Sequence, residues 1–155
     1  MKKLVFLIVL VVLFTGCEKV SGNFNEGTYF GFDEFESYGN KFVTTAVVYV
    51  DSTGEIKSVF IDSTYNKNGV NTTKKVLGND YGMKARSAEI GAIENGAEWF
   101  EQIEVLEDKI VSEQGLDWIE FTDEEETTTD SVAGVTITID SYYNAVNNAI
   151  EKAKK

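Results

Sequence analysis

The stretch that decides the fold is KFVTTAVVYV at residues 41–50, followed by DSTG at 51–54 and EIKSVFIDSTY at 55–65. The first and third segments are rich in β-branched and aromatic residues, a composition typical of strands. Aspartate favours the first position of a β-turn and glycine the fourth, so residues 51–54 predict a turn between the two strands. We therefore expect an antiparallel hairpin.

The side chains of the returning strand alternate between two faces of this hairpin. Val59 and Ile61 share one face, whereas Ile56, Ser58 and Phe60 share the other. Since one face of an antiparallel sheet commonly packs on the core, we expect helices to cover one face of the hairpin.

Two helices are predicted in the second half of the chain. Asn95 can cap a helix over residues 96–114, and Gly115 suits its carboxyl end. Asp140 can cap a second helix over residues 141–154. The first helix carries an apolar stripe at helical spacing, formed by Trp99, Ile103, Leu106 and Ile110.

The remaining segments complete the predicted fold. Residues 27–32 and 135–139 have strand-like composition, and residues 66–86 form a long polar stretch that predicts a functional loop with a short helix or strand. Strands early in the chain and helices late indicate the α+β class. We expect a single domain, an antiparallel sheet with an early hairpin packed against two C-terminal helices.

Composition excludes several classes of function. The chain has 155 residues and a net charge of −12, which argues against a nucleic-acid partner. It contains no histidine, so Ser-His and Cys-His nucleophiles and histidine metal sites are excluded. A single cysteine leaves no intrachain disulfide and no thiolate zinc site. We therefore expect no bound metal.

The N-terminus has the pattern of an export signal. Two lysines precede the apolar run Leu4–Phe14, which is too short to span a bilayer, and the only cysteine follows at position 17. Phe14-Thr15-Gly16-Cys17 resembles a bacterial lipobox. The resemblance implies a signal peptide at 1–16, an acylated (palmitate-type) Cys17 on a tether over 17–26, and a domain over 27–155. The domain would be lipid-anchored on the extracytoplasmic side of the cell membrane.

The segment that carries chemistry is Asp130-Ser-Val-Ala-Gly-Val-Thr136. It resembles the attachment motif of the FMN-binding domain family, whose members include a subunit of the sodium-pumping NADH:quinone reductase and membrane-anchored lipoproteins. In that family a flavin transferase takes FMN from FAD and joins it to the last residue of the motif through a phosphodiester. Asp130, Ala133 and Gly134 match, Thr136 occupies the attachment position, and Val135 replaces the usual alanine with a bulkier side chain.

Other residues are weaker candidates for the same site. Tyr81 and Met83 could flank the flavin ring, because aromatic and thioether groups stack on flat rings. Trp99 could do so too, although its helical stripe favours a place in the core. Lys74 or Lys75 could pair with the FMN phosphate or could be solvated. The acidic run Asp123–Glu126 could bind calcium, but its spacing favours a solvated loop.

Three readings of function follow. The first is an electron carrier, not an enzyme in its own right, with covalent FMN on Thr136, a membrane electron donor, and periplasmic or extracellular acceptors. The second is a non-redox surface lipoprotein, an antigen or ligand-binding module, that keeps the fold without covalent flavin. The third is an accessory subunit of a redox complex, assembled through the apolar patch Trp118–Phe121.

Overall fold

A computed structural model describes residues 22–37, 39–89 and 93–155 of the chain, so the predicted signal peptide and Cys17 lie outside the described residues. The predicted antiparallel sheet is confirmed, with four strands in sequence order. The strand predicted at residues 27–32 continues to Ser37. The strands are β1 (Gly27–Ser37), β2 (Asn40–Val50), β3 (Ile56–Lys67) and β4 (Val70–Thr73).

Both predicted helices are present and pack on the sheet. The helices are α1 (Lys74–Leu77), α2 (Lys84–Glu89), α3 (Trp99–Glu113) and α4 (Asp140–Ala153). Helix α3 begins three residues later than predicted, because Asn95 has a left-handed φ of 66°. Its first turn is closed instead by Glu101, whose carboxylate accepts the backbone N–H of Glu98 at 2.7 Å. None of these helices has the length and apolar character needed to cross a bilayer.

One residue of the hairpin lies on the opposite face from the predicted one. Val59 and Ile61 are buried and Phe60 is exposed, as the alternation requires, but Ile56 is fully buried. The pairing register shifts at the end of β2, where Val50 pairs with Ile56 and the preceding residue pairs with Ser58. This bulge moves Ile56 onto the core face, which a strict two-residue period cannot anticipate.

Helix α4 crosses the inner face of β1 at very short range. A Cβ atom placed on Gly31 would lie 2.0 Å from the carbonyl oxygen of Ala145 and 2.7 Å from the backbone nitrogen of Ala149. Only glycine permits this contact, and the two alanines of α4 leave room for it. The small residues at this crossing therefore set how closely helix and sheet pack.

The free edge of β3 is covered by side chains of α3. Glu107 accepts the backbone N–H of Ile61. Gln114 accepts the N–H of Ile56 at 2.7 Å and donates to its carbonyl at 2.9 Å. Unpaired strand edges invite association with other chains, so these bonds protect the sheet as well as attach the helix.

Side chains of α4 cover the outer edge of β1 in the same way. Asn148 donates to the carbonyl of Phe32 at 3.0 Å, and Lys152 donates to that of Phe30 at 2.7 Å. The outer edges of β1 and β3 therefore each form hydrogen bonds with polar side chains of the helix packed beside them, a feature that the sequence pattern did not predict.

Two predicted segments differ in the structure. Residues 135–139, predicted as a strand, are irregular, and the N–H of Ile139 bonds to the carbonyl of Thr127 at 2.7 Å. Residues 22–26, predicted as the end of a tether, contact the domain: Phe24 is buried, and Asn25 donates to the carbonyl of Ala153 at 2.7 Å. The packed domain thus begins before the predicted boundary at Gly27.

Candidate functional site

Thr136 is an exposed residue whose backbone and hydroxyl are both hydrogen-bonded to a buried glutamine. Its side chain is exposed, and its backbone N–H donates to Gln102 Oε1 at 2.8 Å. Its hydroxyl donates to the same oxygen at 3.1 Å. Gln102 lies in α3 and is only 1% exposed. Because a hydroxyl has one donor and two lone pairs, this arrangement leaves the lone pairs of Thr136 available on the outer side.

The same glutamine joins Thr136 to the segment around Met83. Gln102 Nε2 donates to the sulfur of Met83 at 3.4 Å, and the backbone N–H of Met83 donates to Glu98 Oε2 at 2.8 Å. Two segments predicted separately for the site, the Met83 loop and the Thr136 motif, are therefore brought together.

Gln102 is not among the residues predicted from the sequence, although a signal was present. Gln102 follows Trp99 by three residues and precedes Leu106 by four, so it falls on the apolar stripe of α3. A polar residue on a buried helix face needs a hydrogen-bond partner. That position alone could have marked it as a residue with a specific role.

The rest of the attachment motif is divided between surface and core. Ala133 and Gly134 are exposed, and nothing lies within 4 Å of the position where a Gly134 Cβ would be. Gly134 has a φ of 89°, which favours glycine. Val135 is buried in the core. Its extra bulk therefore fills the interior and does not lie on the surface that Ala133, Gly134 and Thr136 share.

Asp130, the first residue of the motif, is exposed at the far end of the segment. It lines a cleft of about 240 Å³ with Phe121 and Ser131, and Ser131 Oγ accepts the N–H of Glu120 at 2.9 Å. Among the described residues, no hydrogen bond joins Asp130 to Thr136. Asp130 is therefore on the surface, like Ala133, Gly134 and Thr136, but it forms no hydrogen bond with the attachment residue in the described part of the chain.

A cluster of three aromatic rings surrounds the amine of Lys74. Its Nζ lies 5.6 Å, 5.1 Å and 5.7 Å from the ring centroids of Tyr81, Trp99 and Tyr142. It donates to the Tyr142 hydroxyl at 3.1 Å, and Trp99 Nε1 donates to the same oxygen at 2.9 Å. Burial lowers the pKa of Lys74 to about 8, because the charged amine loses solvation, an effect that Asp62 partly opposes.

The two adjacent lysines that sequence analysis could not separate have different roles. Lys75 forms an ion pair with Glu107, with its Nζ 2.6 Å from Oε1 and 2.9 Å from Oε2. Burial raises the pKa of Glu107, although Lys75 opposes this. Lys74, in contrast, has no carboxylate within ion-pair distance in the described part of the chain. Of the two, Lys74 retains the capacity to meet an anion.

The two aromatic candidates for the ring site differ in exposure. Trp99 is 1% exposed and belongs to the core, as its stripe predicted. Tyr81 is half-buried and meets Tyr65 edge-on, with ring centroids 5.1 Å apart. Burial raises the pKa of Tyr81, and the neighbouring Tyr65 and Glu98 act in the same direction. A row of half-buried rings, Phe35, Phe42 and Tyr65, continues from Tyr81 across the strand ends.

The acidic run at 123–126 forms a turn in which the carboxylate of Asp123 is hydrogen-bonded by the residues that follow. The carboxylate of Asp123 accepts the hydroxyls of Thr127 and Thr128 at 2.7 Å and 2.6 Å. These bonds lower the pKa of Asp123 to about 2. Within the described ranges, no cluster of three or more histidine, cysteine, aspartate or glutamate side chains is arranged to hold a metal ion.

Comparisons with known proteins support the fold and its extent. No family model matches the chain, and no curated protein matches it. A solution NMR structure of a protein from Clostridium thermocellum is similar, with a TM-score of 0.53 and 28% sequence identity. The match covers 84% of this chain and 92% of that chain, so the likeness concerns the whole domain.

Proposed function

We propose that this chain is an extracytoplasmic electron carrier that bears FMN covalently on Thr136 and is anchored to the membrane through Cys17. The resemblance of Asp130–Thr136 to the flavin-attachment motif suggests it. The observation that carries the proposal is that Thr136 is exposed beside exposed Ala133 and Gly134, while its hydroxyl is held by buried Gln102. The FMN, when bound, would supply one- and two-electron chemistry.

The surroundings of Thr136 fit a covalent phosphodiester. A modifying enzyme must approach the backbone closely, and Ala133 and Gly134 present little side-chain bulk to it. Buried Val135 adds none on that side. Lys74 lies beside Trp99, one helical turn from Gln102, and its amine could meet an anionic group of the cofactor.

The position of Thr136 relative to the chain entry suits an anchored carrier. Thr136 precedes the first residue of α4 by four positions, whereas Asn25 bonds to Ala153 at the last turn of the same helix. A helix of 14 residues is about 20 Å long. The attachment residue is therefore close in sequence to the first turn of α4, whereas Asn25 packs at its last turn, so an anchor on the N-terminal side would join the domain away from Thr136.

The partners of such a carrier follow from its chemistry and charge. Attachment requires a flavin transferase with FAD as donor, and turnover requires a membrane electron donor and an external acceptor. A net charge of −12 favours partners with basic docking surfaces and repels other acidic carriers.

The proposal is tested by covalent flavin on the full chain. The chain is expressed with a flavin transferase, denatured and separated on a gel, and flavin fluorescence is recorded on its band. We expect a fluorescent wild-type band, a dark Thr136→Ala band, and fluorescence restored by Thr136→Ser, which keeps the hydroxyl.

Thr138→Ala is the matched control, because Thr138 is also exposed and lies two residues further along. It should remain fluorescent. A dark wild-type band beside a fluorescent, known flavinylated domain would contradict the proposal. The non-redox surface lipoprotein would then be the better account of the chain.

A further inference from the structure

We infer that Gln102 is the residue that positions Thr136 for flavin attachment. The inference rests on the proposed function and assigns a role to a side chain outside the attachment motif. Gln102 lies 34 positions before Thr136 and contacts it through both backbone and side chain.

The geometry fixes two degrees of freedom of Thr136 at once. The bond from its N–H to Gln102 Oε1 holds the backbone at 2.8 Å, and the bond from its hydroxyl at 3.1 Å selects the side-chain rotamer. The hydroxyl proton is thus directed inward, and the oxygen lone pairs are directed outward. Such fixed orientation of a nucleophile is what raises the rate of a bimolecular group transfer.

The amide of Gln102 is itself held in one orientation. Its Nε2 donates to the Met83 sulfur at 3.4 Å, so its oxygen is the atom that faces Thr136. The backbone N–H of Met83 is in turn bonded to Glu98, at the start of α3. The support of Thr136 therefore extends through Gln102 to a short loop fastened to the same helix.

Gln102 is an amide on an otherwise apolar part of the inward face of α3. Neighbouring inward positions of α3, such as Ile103 and Leu106, are fully apolar and pack in the core. Burying an amide costs free energy unless hydrogen bonds compensate for the lost solvation. Here the partners are the attachment residue and a second loop of the candidate site, which is where precise placement has a use.

The step that Gln102 would assist is a balanced phosphoryl transfer. Thr136 Oγ forms a bond to the phosphorus on the FMN side of FAD, and the pyrophosphate bond to that phosphorus breaks. AMP leaves with the bridging oxygen, and the hydroxyl proton passes to a base of the transferase. No atom is oxidised or reduced. The bond from the Thr136 N–H to Gln102 keeps the residue in place, and rotation about Cβ–Oγ turns only the proton toward that base, so the nucleophilic oxygen stays where it was positioned.

The test compares two glutamines of the same helix. Gln102→Asn withdraws the amide from Thr136 by one methylene, and Gln114→Asn withdraws an amide from Ile56 at the other end of α3. Purified full-length chain in detergent is incubated with flavin transferase, FAD and Mg²⁺, and the initial rate of attachment is measured over a range of chain concentrations. Thermal unfolding of each variant is recorded alongside.

We expect Gln102→Asn to lower the maximal rate about tenfold or more, while the chain concentration that gives half the maximal rate stays unchanged. Gln114→Asn should keep the wild-type rate even if its unfolding temperature falls. If Gln102→Asn does not fold, Gln102→Met, which keeps the length and packs in an apolar site, replaces it with the same expectation.

Two results would overturn the inference alone: a labelled wild type with an equally fast Gln102 variant, or equal slowing by both glutamine variants. The second result would show that loss of stability, not of positioning, slows attachment. Failure to label wild type at all would instead overturn the proposed function, and this inference with it.

Discussion

The sheet with its two long helices and the segment between those helices, residues 115–139, are stabilised in different ways. The first region is built from strand ladders and helical hydrogen bonds, with helix side chains covering the strand edges. The second is held mainly by bonds between side chains and backbone. Examples are Thr129 to the carbonyl of Glu120 at 2.7 Å and Ser131 Oγ to the N–H of Glu120 at 2.9 Å.

The difference explains why the candidate site lies where the two regions meet. A strand or helix would occupy the backbone groups of Thr136, whereas the irregular segment leaves its N–H free to bond to a side chain. Gln102 supplies that side chain from the regular region. The regular region thus holds Gln102 in a fixed position on α3, and the irregular segment places exposed small residues next to Thr136.

The most damaging change should be at the contact between α4 and β1. Gly31→Ala places a methyl group 2.0 Å from the Ala145 carbonyl, so helix and strand must separate. We expect the free energy of unfolding to fall by about 3 kcal/mol, with Gly31→Val failing to fold. Chemical denaturation followed by circular dichroism measures this.

Gly69→Ala separates steric conflict from backbone strain. Gly69 has a φ of 83°, but nothing lies within 4 Å of the position that the alanine methyl group would take. The substitution should cost only about 1 kcal/mol, from strain alone. Equal losses at Gly31 and Gly69 would show that close packing of α4 is not what requires glycine in β1.

The next effect concerns Lys74 and depends on pH. Its pKa is lowered by burial to about 8 from an ordinary value of 10.5. Between these values the unfolded chain binds a proton that the folded chain has released, so the wild type gains stability as the pH rises through this window. Lys74→Met has no such group. The free energy of unfolding of the wild type, relative to the variant, should therefore rise by about 3 kcal/mol between pH 7.5 and 10.5.

Denaturation curves of both proteins at several pH values provide the measurement. Lys84→Met serves as an exposed control, because the Lys84 side chain is 52% accessible. If the difference in the free energy of unfolding between wild type and Lys74→Met did not change with pH, the three rings and the Tyr142 hydroxyl would stabilise the ammonium group as well as water does.

The regular region could largely be predicted from sequence because its signals are local. The β-branched and aromatic composition of 41–50 and the helical spacing from Trp99 to Ile110 each indicate one element directly. The errors come from features that these signals do not contain. The bulge that buries Ile56 breaks the alternation beside the turn, and the packing of Phe24 depends on Lys154, a partner far along the chain.

The candidate site could be predicted only in part, for the same reason. The motif identifies Thr136 from neighbouring residues, but its partner Gln102 is 34 positions away. The strand prediction for 135–139 was wrong because β-branched residues there suited burial of Val135 and Ile139, not pairing with another strand. The separation of Lys74 from Lys75 likewise required Glu107 of α3, which no local pattern connects to them.

The smallest expected effect compares two similar turns, one in each region. Asp51, in the β2–β3 turn, and Asp123 each accept threonine hydroxyl and N–H groups, and these bonds hold the pKa of both carboxyls at about 2. Asp51→Ala loosens a hairpin that unfolds with the whole sheet, so it should lower the denaturation midpoint. Asp123→Ala loosens a segment that we expect to open without unfolding of the sheet. It should leave that midpoint unchanged while amide exchange at Thr127 quickens.

Hydrogen exchange followed by NMR distinguishes these outcomes. Because both folded-state pKa values are depressed, the contribution of each carboxylate is present above its ordinary pKa and is lost as the pH falls through about 2. The difference in amide exchange at Thr127 between wild type and Asp123→Ala should therefore shrink as the pH falls toward 2. A shifted midpoint for Asp123→Ala would show that residues 115–139 unfold together with the sheet, and that the site rests on one cooperative unit, not on two.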